Sequence, residues 1–289
     1  MTARMRQLLL LGVSMLLTAC ATGPSALPSS PSTSPPQPPR DAVTAAAIEK
    51  VLAGDHRSVE NRARDVYRHP LDTLLFFGIK PQMTVVEVWP GSSGWYTEIL
   101  APLLAEHGHL YAALPAAQPD NAFVTAGIKG FDDKLAARTD LYGKVQKTSL
   151  GPGGYDAAPA GSADLVVTFR NIHNWMSLGN AREAFGEMYR VLKPGGILGV
   201  VEHRGNADKP QDPRAIAGYV NEQFAIDLIT SAGFVLDARS EINANPNDTK
   251  DYAQGVWTLP PNYRLGERDR AKFQAIGESD RFTLRFRKP

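Results

Sequence analysis

Val85-Val86-Glu87-Val88-Trp89-Pro90-Gly91-Ser92-Ser93-Gly94-Trp95-Tyr96-Thr97 is the stretch on which the reading of this chain turns. A β-branched run ending in an acid breaks into a turn with two glycines, and a helix is expected to follow, near Trp95 to Glu106. β-Branched residues suit a strand buried on both faces. The glycines let backbone come close to a bound group, and the helix behind them presents free N–H groups. Strand, glycine turn and helix in that order place the turn at the carboxyl edge of a parallel sheet, where such sheets hold nucleotide-like ligands.

Working outward, strand and helix patterns alternate along most of the chain. Strands are expected near Thr84 to Val88, Leu110 to Ala113, Val145 to Thr148, Asp164 to Arg170, Ile197 to Glu202 and Phe234 to Ser240, with a last one at Arg281 to Arg287. Helices are expected near Ala122 to Thr139, Ala181 to Leu192 and Asn221 to Ala232, and Lys193-Pro194-Gly195-Gly196 reads as a helix stop turning into the fifth strand. The pattern predicts an α/β class, a Rossmann-like doubly wound seven-stranded sheet. An Ala-rich helix, about Asp41 to Ala53, a charged one, about Ser58 to Tyr67, and the apolar segment Leu71 to Ile79 form an N-terminal helical extension.

With 289 residues and 43% hydrophobic content, the chain can bury a full core in one domain of about 240 residues. The formal charge is +1, and no polybasic run is present to neutralise phosphate backbones, so nucleic acid is excluded as a partner. Residues 1–19 read as a secretory signal: Arg4 and Arg6 precede the apolar run Leu8 to Leu17, which is short for a membrane span. Residues 20–40 carry Pro24, Pro28, Pro31, Pro35, Pro36, Pro38 and Pro39 among Ser and Thr, a composition that makes a tether rather than a core. The remaining divisions are a helical cap at 41–80 and the main domain at 81–289, with a lid insertion at 243–277.

Leu17-Thr18-Ala19-Cys20 resembles a bacterial lipobox, and Cys20 is the single cysteine of the chain. The resemblance implies a lipid anchor at Cys20 holding the domain at the periplasmic face of the cell envelope. Ala21 after the cysteine implies the outer membrane. A plain signal peptide is the alternative reading of the same segment.

The opening stretch, together with Ala163-Asp164-Leu165-Val166-Val167, Leu192-Lys193-Pro194-Gly195-Gly196 and Ala232-Gly233-Phe234, resembles the ordered landmarks of class I S-adenosylmethionine-dependent methyltransferases. The nearer resemblance is to a bacterial lipoprotein branch of that family, marked by Trp-Pro-Gly with Gly-Trp-Tyr-Thr-Glu, by Phe169-Arg170-Asn171-Ile172-His173-Asn174-Trp175, and by Gly277-Glu278-Ser279-Asp280-Arg281. It implies S-adenosyl-L-methionine as cofactor, held by Glu87, Gly91, Ser92, Gly94 and Asn171. Glu87 has a second reading, as a cap for the following helix.

Three departures weaken that pattern. Trp89 and Ser93 stand where the family's first motif has glycines. The second strand ends Tyr111-Ala112-Ala113-Leu114-Pro115, with no acid for the ribose hydroxyls, and the third is followed by Ser149-Leu150-Gly151-Pro152, with Asp156 late for the adenine. A buried diol without acceptors costs about 1–3 kcal/mol per unpaired group.

The strand order 3-2-1-4-5-7-6 that the resemblance implies sets strands four and five about 4.8 Å apart. It gathers Asn174 and His173 after strand four, Glu202 and His203 after strand five, and Asp280 before strand seven around one mouth. Imidazole beside carboxylate is an acid/base pair for transfer to oxygen or nitrogen, so these five are the catalytic candidates. The same groups could instead hydrogen-bond one another and pin the lid. A metal site built from His173, His203 and one carboxylate is a further reading, but no i,i+4 or Cys ligand spacing supports it. Trp89, Trp95 and Trp175 could stack a ring or cover the sheet edge.

Three functions are open at this stage. The first is a methyltransferase acting on a small molecule or an envelope component. The second is a lipoprotein that keeps the shell for binding or assembly, favoured by the missing acids and by an N-terminus that directs the chain away from where S-adenosylmethionine is made. The third, a hydrolytic or metal-dependent enzyme, lacks a Gly-x-Ser-x-Gly elbow.

Overall fold

The computed structural model describes residues 41–118 and 120–289. The signal segment 1–19, Cys20 and the tether 20–40 lie outside the described residues. Within them, no helix is long and apolar enough to cross a membrane.

Eight strands form one sheet: β1 (Thr84–Val88), β2 (His109–Leu114), β3 (Gln146–Gly151), β4 (Gly154–Asp156), β5 (Ala163–Phe169), β6 (Leu192–His203), β7 (Val235–Ser240) and β8 (Arg281–Arg287), in the order β4-β3-β2-β1-β5-β6-β8-β7. The expected seven strands are all present in the expected order, and the eighth is a correction to the count. β4 is a three-residue strand that folds back antiparallel on β3 through Gly151 and Gly154. It is too short, and too rich in glycine, to give a period-2 signal.

Alternation sorts the core into two layers. Val86, Val88, Val166 and Val200 point to one face with Phe185 and Met188, while Val85, Leu165, Val167 and Val201 point to the other with Ile99, Leu100 and Phe77. The N-terminal cap covers the second face. Its helix Ala42–Leu52 buries Ile48, and helix Pro70–Phe77 buries Leu74 and Phe77. Phe77 reaches the sheet where β6 has Gly199: a Cβ there would stand 2.6 Å from the ring.

Three local expectations need correction. The charged stretch is two one-turn helices, Val59–Arg62 and Asp65–Arg68, because Arg57 turns inward to a bidentate pair with Asp65 at 2.6 and 2.8 Å. Lys193-Pro194-Gly195-Gly196 does not precede the fifth strand but lies within β6. Ala163 pairs with Leu192 and Leu165 with Ile197, so these residues bulge out of the ladder. Phe169-Arg170-Asn171-Ile172-His173 does not simply leave the sheet; it starts a helix, Ile172–Leu178, that the sequence pattern does not mark.

Candidate functional site

At the carboxyl edge Val88 lies opposite Ala113 on β2 and Thr168 on β5. The chain then turns through three left-handed residues, Trp89 (φ 49°), Gly91 (φ 73°) and Gly94 (φ 50°). A Cβ built on Gly91 would meet nothing within 4 Å. Over this turn lies the helix Ala122–Ala137, whose Gly130 comes close enough that a Cβ there would be 2.9 Å from the Ser92 Cβ. Between turn and helix a cavity of about 440 Å³ opens, walled by Trp89, Gly91, Ser92, Leu114, Pro115, Val124, Gly127, Ile128, Asn171 and Asn174. That volume is within the range of small-molecule sites. The Trp89 indole is fixed by a hydrogen bond to the Leu150 carbonyl at 2.6 Å and by an edge contact with Trp175.

Of the expected cofactor residues, Gly91, Ser92 and Asn171 line this cavity, whereas Glu87 and Gly94 do not. Glu87 is 1% exposed and accepts the Thr97 hydroxyl at 2.7 Å, under the start of helix Thr97–Leu104. It thus meets a side chain at the start of that helix. Burial pushes its carboxyl up to about 7, against the opposing hydrogen bond from Thr97. The folded state therefore keeps a proton that the unfolded chain gives up above the ordinary value of 4.5. This contribution to stability is full below pH 4.5 and is lost as pH rises through about 7. Glu87→Gln is expected to remove that slope. In urea titrations at pH 5 and pH 8, the wild type should lose on the order of 2–3 kcal/mol relative to the variant. A difference independent of pH would show that Glu87 is ionised throughout.

The five catalytic candidates separate into groups. Glu202, fully buried, accepts the backbone N–H groups of Ile172 at 2.6 Å and His203 at 2.8 Å, and its Oε1 is 3.0 Å from Nδ1 of His173. It caps the helix that the strand-four motif begins and aims the imidazole. With the carboxylate as acceptor, Nδ1 of His173 carries a hydrogen, and Nε2 is the ring nitrogen that Glu202 does not engage. The His203 ring centre is 5.4 Å from that of His173, and Trp257 of the lid is 6.0 Å away on its edge. Nδ1 of His203 lies 2.5 Å from the Ser279 hydroxyl. Burial, with the neighbouring His173 and Arg281, holds its imidazole well below its ordinary range and so neutral.

Asn174 lines the cavity, with its amide 3.4 Å from the Arg170 carbonyl. Asp280 does not join the histidines. It accepts the Asn245 N–H at 3.0 Å and pairs with Lys250 at 2.8 Å, while its own N–H goes to Asp248. These contacts tie Asp280 to residues of the lid segment 243–277. Glu278 likewise serves the cap, pairing with Arg64, Arg68 and Arg281. Of the tryptophans, Trp175 is fully buried, and Trp95 has the guanidiniums of Arg57 and Arg68 over its ring at 5.3 and 4.6 Å, with its indole N–H on the Asn61 carbonyl. Only Trp89 of the three faces the cavity.

His173, Glu202 and His203 offer ligand atoms all within 4.8 Å of one another, so among the described residues this is the group able to hold a metal ion. Four N–H donors already occupy the Glu202 carboxylate, and Arg281, Arg170 and Arg68 bear on His203. The set is built as a hydrogen-bonded histidine–carboxylate unit. Sequence reasoning missed Ser279 and Trp257 as partners of the histidines, and missed the helix Ala122–Ala137 as a wall. Gly127 and Gly130, spaced three apart on that helix, were the available signal.

A family model described as a methyltransferase domain matches residues 145–200, from β3 to the body of β6. A S-adenosylmethionine-dependent methyltransferase from Aquifex aeolicus superposes with a TM-score of 0.52 over 85% of this chain and 98% of its own, at 16% identity. The chain has the methyltransferase fold. The [4+2]-cyclase SpnF superposes as well, with a TM-score of 0.52 over 82% of this chain and 85% of its own, at 17% identity. No curated protein matches the chain. On the methyltransferase fold, the cavity at Gly91 stands at the carboxyl ends of β1 and β2, and the histidine unit at those of β5 and β6. The turn Asn171 to Asn174 belongs to both.

Proposed function

We propose that the protein is an S-adenosylmethionine-dependent methyltransferase whose donor lies in the Gly91 cavity and whose acceptor is activated by His173. The observation that carries this is the cavity itself: a left-handed glycine with open space where its Cβ would be, apolar walls from Leu114, Val124 and Ile128, and polar groups limited to Ser92, Asn171 and Asn174. Those features fit a nucleoside with a short polar chain. Gly91 and Ser92 would hold the methionine half through backbone, and the Asn171 amide, itself fixed by the Val88 carbonyl and the Thr168 hydroxyl, would present its oxygen. The bound sulfonium supplies an electrophilic methyl carbon. An acceptor held on the far side of the Asn171 turn would give up its proton to Nε2 of His173, while the donor, when bound, would supply the methyl group and keep the electron pair of its carbon–sulfur bond. Glu202 holds that ring and offsets the charge it gains.

A second reading has a specific observation in its favour. Among the described residues that line the cavity there is no carboxylate to accept a ribose diol. A methyltransferase shell recruited for another ligand would look the same, and folds host many functions.

Calorimetric titration of residues 41–289 with S-adenosylmethionine and S-adenosylhomocysteine decides between them. Gly127→Leu is the control, because this helical glycine faces the cavity with nothing within 4 Å of a Cβ. Leucine there should raise helix stability by several tenths of a kcal/mol while filling the pocket. Micromolar binding lost in a variant that melts no lower than wild type supports the enzyme. Absence of binding in the wild type sinks the donor assignment and leaves the recruited shell.

The signal at 1–19 and the cysteine at 20 support placing this domain on a lipid anchor in the cell envelope, held off the membrane by the Pro-rich tether. The acceptor is then a small molecule or an envelope component.

A further inference from the structure

One charged group at this edge has no use in the scheme above. Arg170 follows the last residue of β5 in a left-handed conformation (φ 62°), an uncommon one for a residue with a long side chain. Its backbone is fixed there by an N–H to the Val201 carbonyl at 2.7 Å and by the Asn174 amide on its own carbonyl. Its guanidinium, by contrast, makes no hydrogen bond or ion pair among the described residues. The groups acting most strongly on it are Arg281, Glu278 and Arg64, and burial with these cations lowers its guanidinium to about 10.

Charge is unbalanced around it. Glu278 is already shared by Arg64 at 2.5 Å, Arg68 at 3.4 Å and Arg281. It is the one carboxylate among the groups that bear most on Arg68 and Arg170. Three guanidiniums thus share a single acid, and Arg170, which feels all of these charges except that of Arg68 among its strongest influences, has no hydrogen-bond or ion-pair partner among the described residues. The array continues to the histidines: Arg281 Nε donates to the Ser279 hydroxyl, which also meets Nδ1 of His203. Arg170 itself is among the cations felt by His203. A half-buried cluster with surplus positive charge is costly to hold together without an anion. A planar guanidinium with its donors free is suited to grip carboxylate or phosphate in bidentate fashion.

We propose that Arg170 binds an oxyanion, a carboxylate or a phosphate, carried by the molecule that His173 acts on. This rests on the reading of the histidine side as the acceptor side, and deepens it by giving the acceptor a charge class. The anion balances the arginines, and a group attached to it is held within reach of Nε2 of His173. The apolar Trp257 face of the lid covers whatever carries both.

The test uses the full chain and follows the ring resonances of His173 and His203 during titration with inorganic phosphate and, separately, with benzoate. Wild-type protein is expected to respond saturably to at least one of them, and which one separates the phosphate from the carboxylate class. Arg170→Gln should need at least tenfold more anion for the same response, while Arg170→Lys, which keeps the charge, recovers part of it and shows that the loss is not one of folding. A response of equal affinity in Arg170→Gln, or no response in the wild type, overturns the proposal. Titration of the same sample with S-adenosylhomocysteine keeps the two readings apart. Anion binding without it removes the methyltransferase reading and leaves the oxyanion site in place.

Discussion

Glu202→Gln is expected to destabilise the domain by about 3 kcal/mol and to abolish any transfer that depends on His173. The carboxylate is fully buried and meets four donors: the N–H groups of Ile172, His173 and His203 and Nδ1 of His173. An amide offers one acceptor oxygen in place of two and turns hydrogens toward at least one of these donors. Leaving a buried donor unpaired costs about 1–3 kcal/mol, and hydrogen bonds to a charged acceptor are the stronger kind. The Ile172–Leu178 helix would lose the cap that begins it. Urea unfolding measures the first effect, and a loss below about 1 kcal/mol would mean that Glu202 does not fasten this helix. Because Glu202 does not line the Gly91 cavity, S-adenosylhomocysteine affinity should change less than threefold. A parallel collapse of affinity would show that the two halves of the site are not separable.

Gly91→Val is expected to reduce donor affinity at least a hundredfold. Its left-handed φ of 73° disfavours any residue with a Cβ and a branched one most, at about 1–2 kcal/mol. The three added carbons enter space that is open beside the cavity. Affinity therefore falls both through bulk and through any shift of the turn that relieves the strain. Gly91→Ala separates the two, since it meets the same φ with a single methyl and should lose far less. Isothermal titration measures both, and a valine variant that binds as the wild type does would remove the turn from the donor site.

The landmarks of the sheet were readable because they are local. The β-branched runs of β1 and β5, the apolar ends of the helices between them and the breakers at Gly91 and Gly195 each act within about ten residues, which is the range over which periodicity speaks. The short β4 was not readable, since its pairing is made by two glycines and not by a pattern of side chains. Neither was the helix at Ile172. Its N-terminal N–H groups are satisfied by Glu202, thirty residues away in sequence at the end of another strand.

The same distinction runs through the site. Motif and topology brought His173, Glu202 and His203 to one edge, and residue type alone named imidazole and carboxylate as the working groups. Which acid would touch which base was beyond it. Glu202, Glu278 and Asp280 all come to that edge, and only the packing of lid and cap assigns them: Asp280 to Lys250 and Asn245, Glu278 to the arginines, Glu202 to His173. Glu87 shows the converse, an acid at the family position that turns under the helix to Thr97 rather than into the cavity.

The sequence by itself determined the class of fold and the place of a glycine turn at the carboxyl edge, because hydrophobic period and backbone permission are properties of neighbours along the chain; the strand order came from its resemblance to a known family. The tertiary structure alone decided which charges are paired, which histidine nitrogen meets the carboxylate and that the Arg170 guanidinium has no hydrogen-bond or ion-pair partner among the described residues. Those follow from burial and from distances between residues far apart in sequence, and electrostatic energy depends on both.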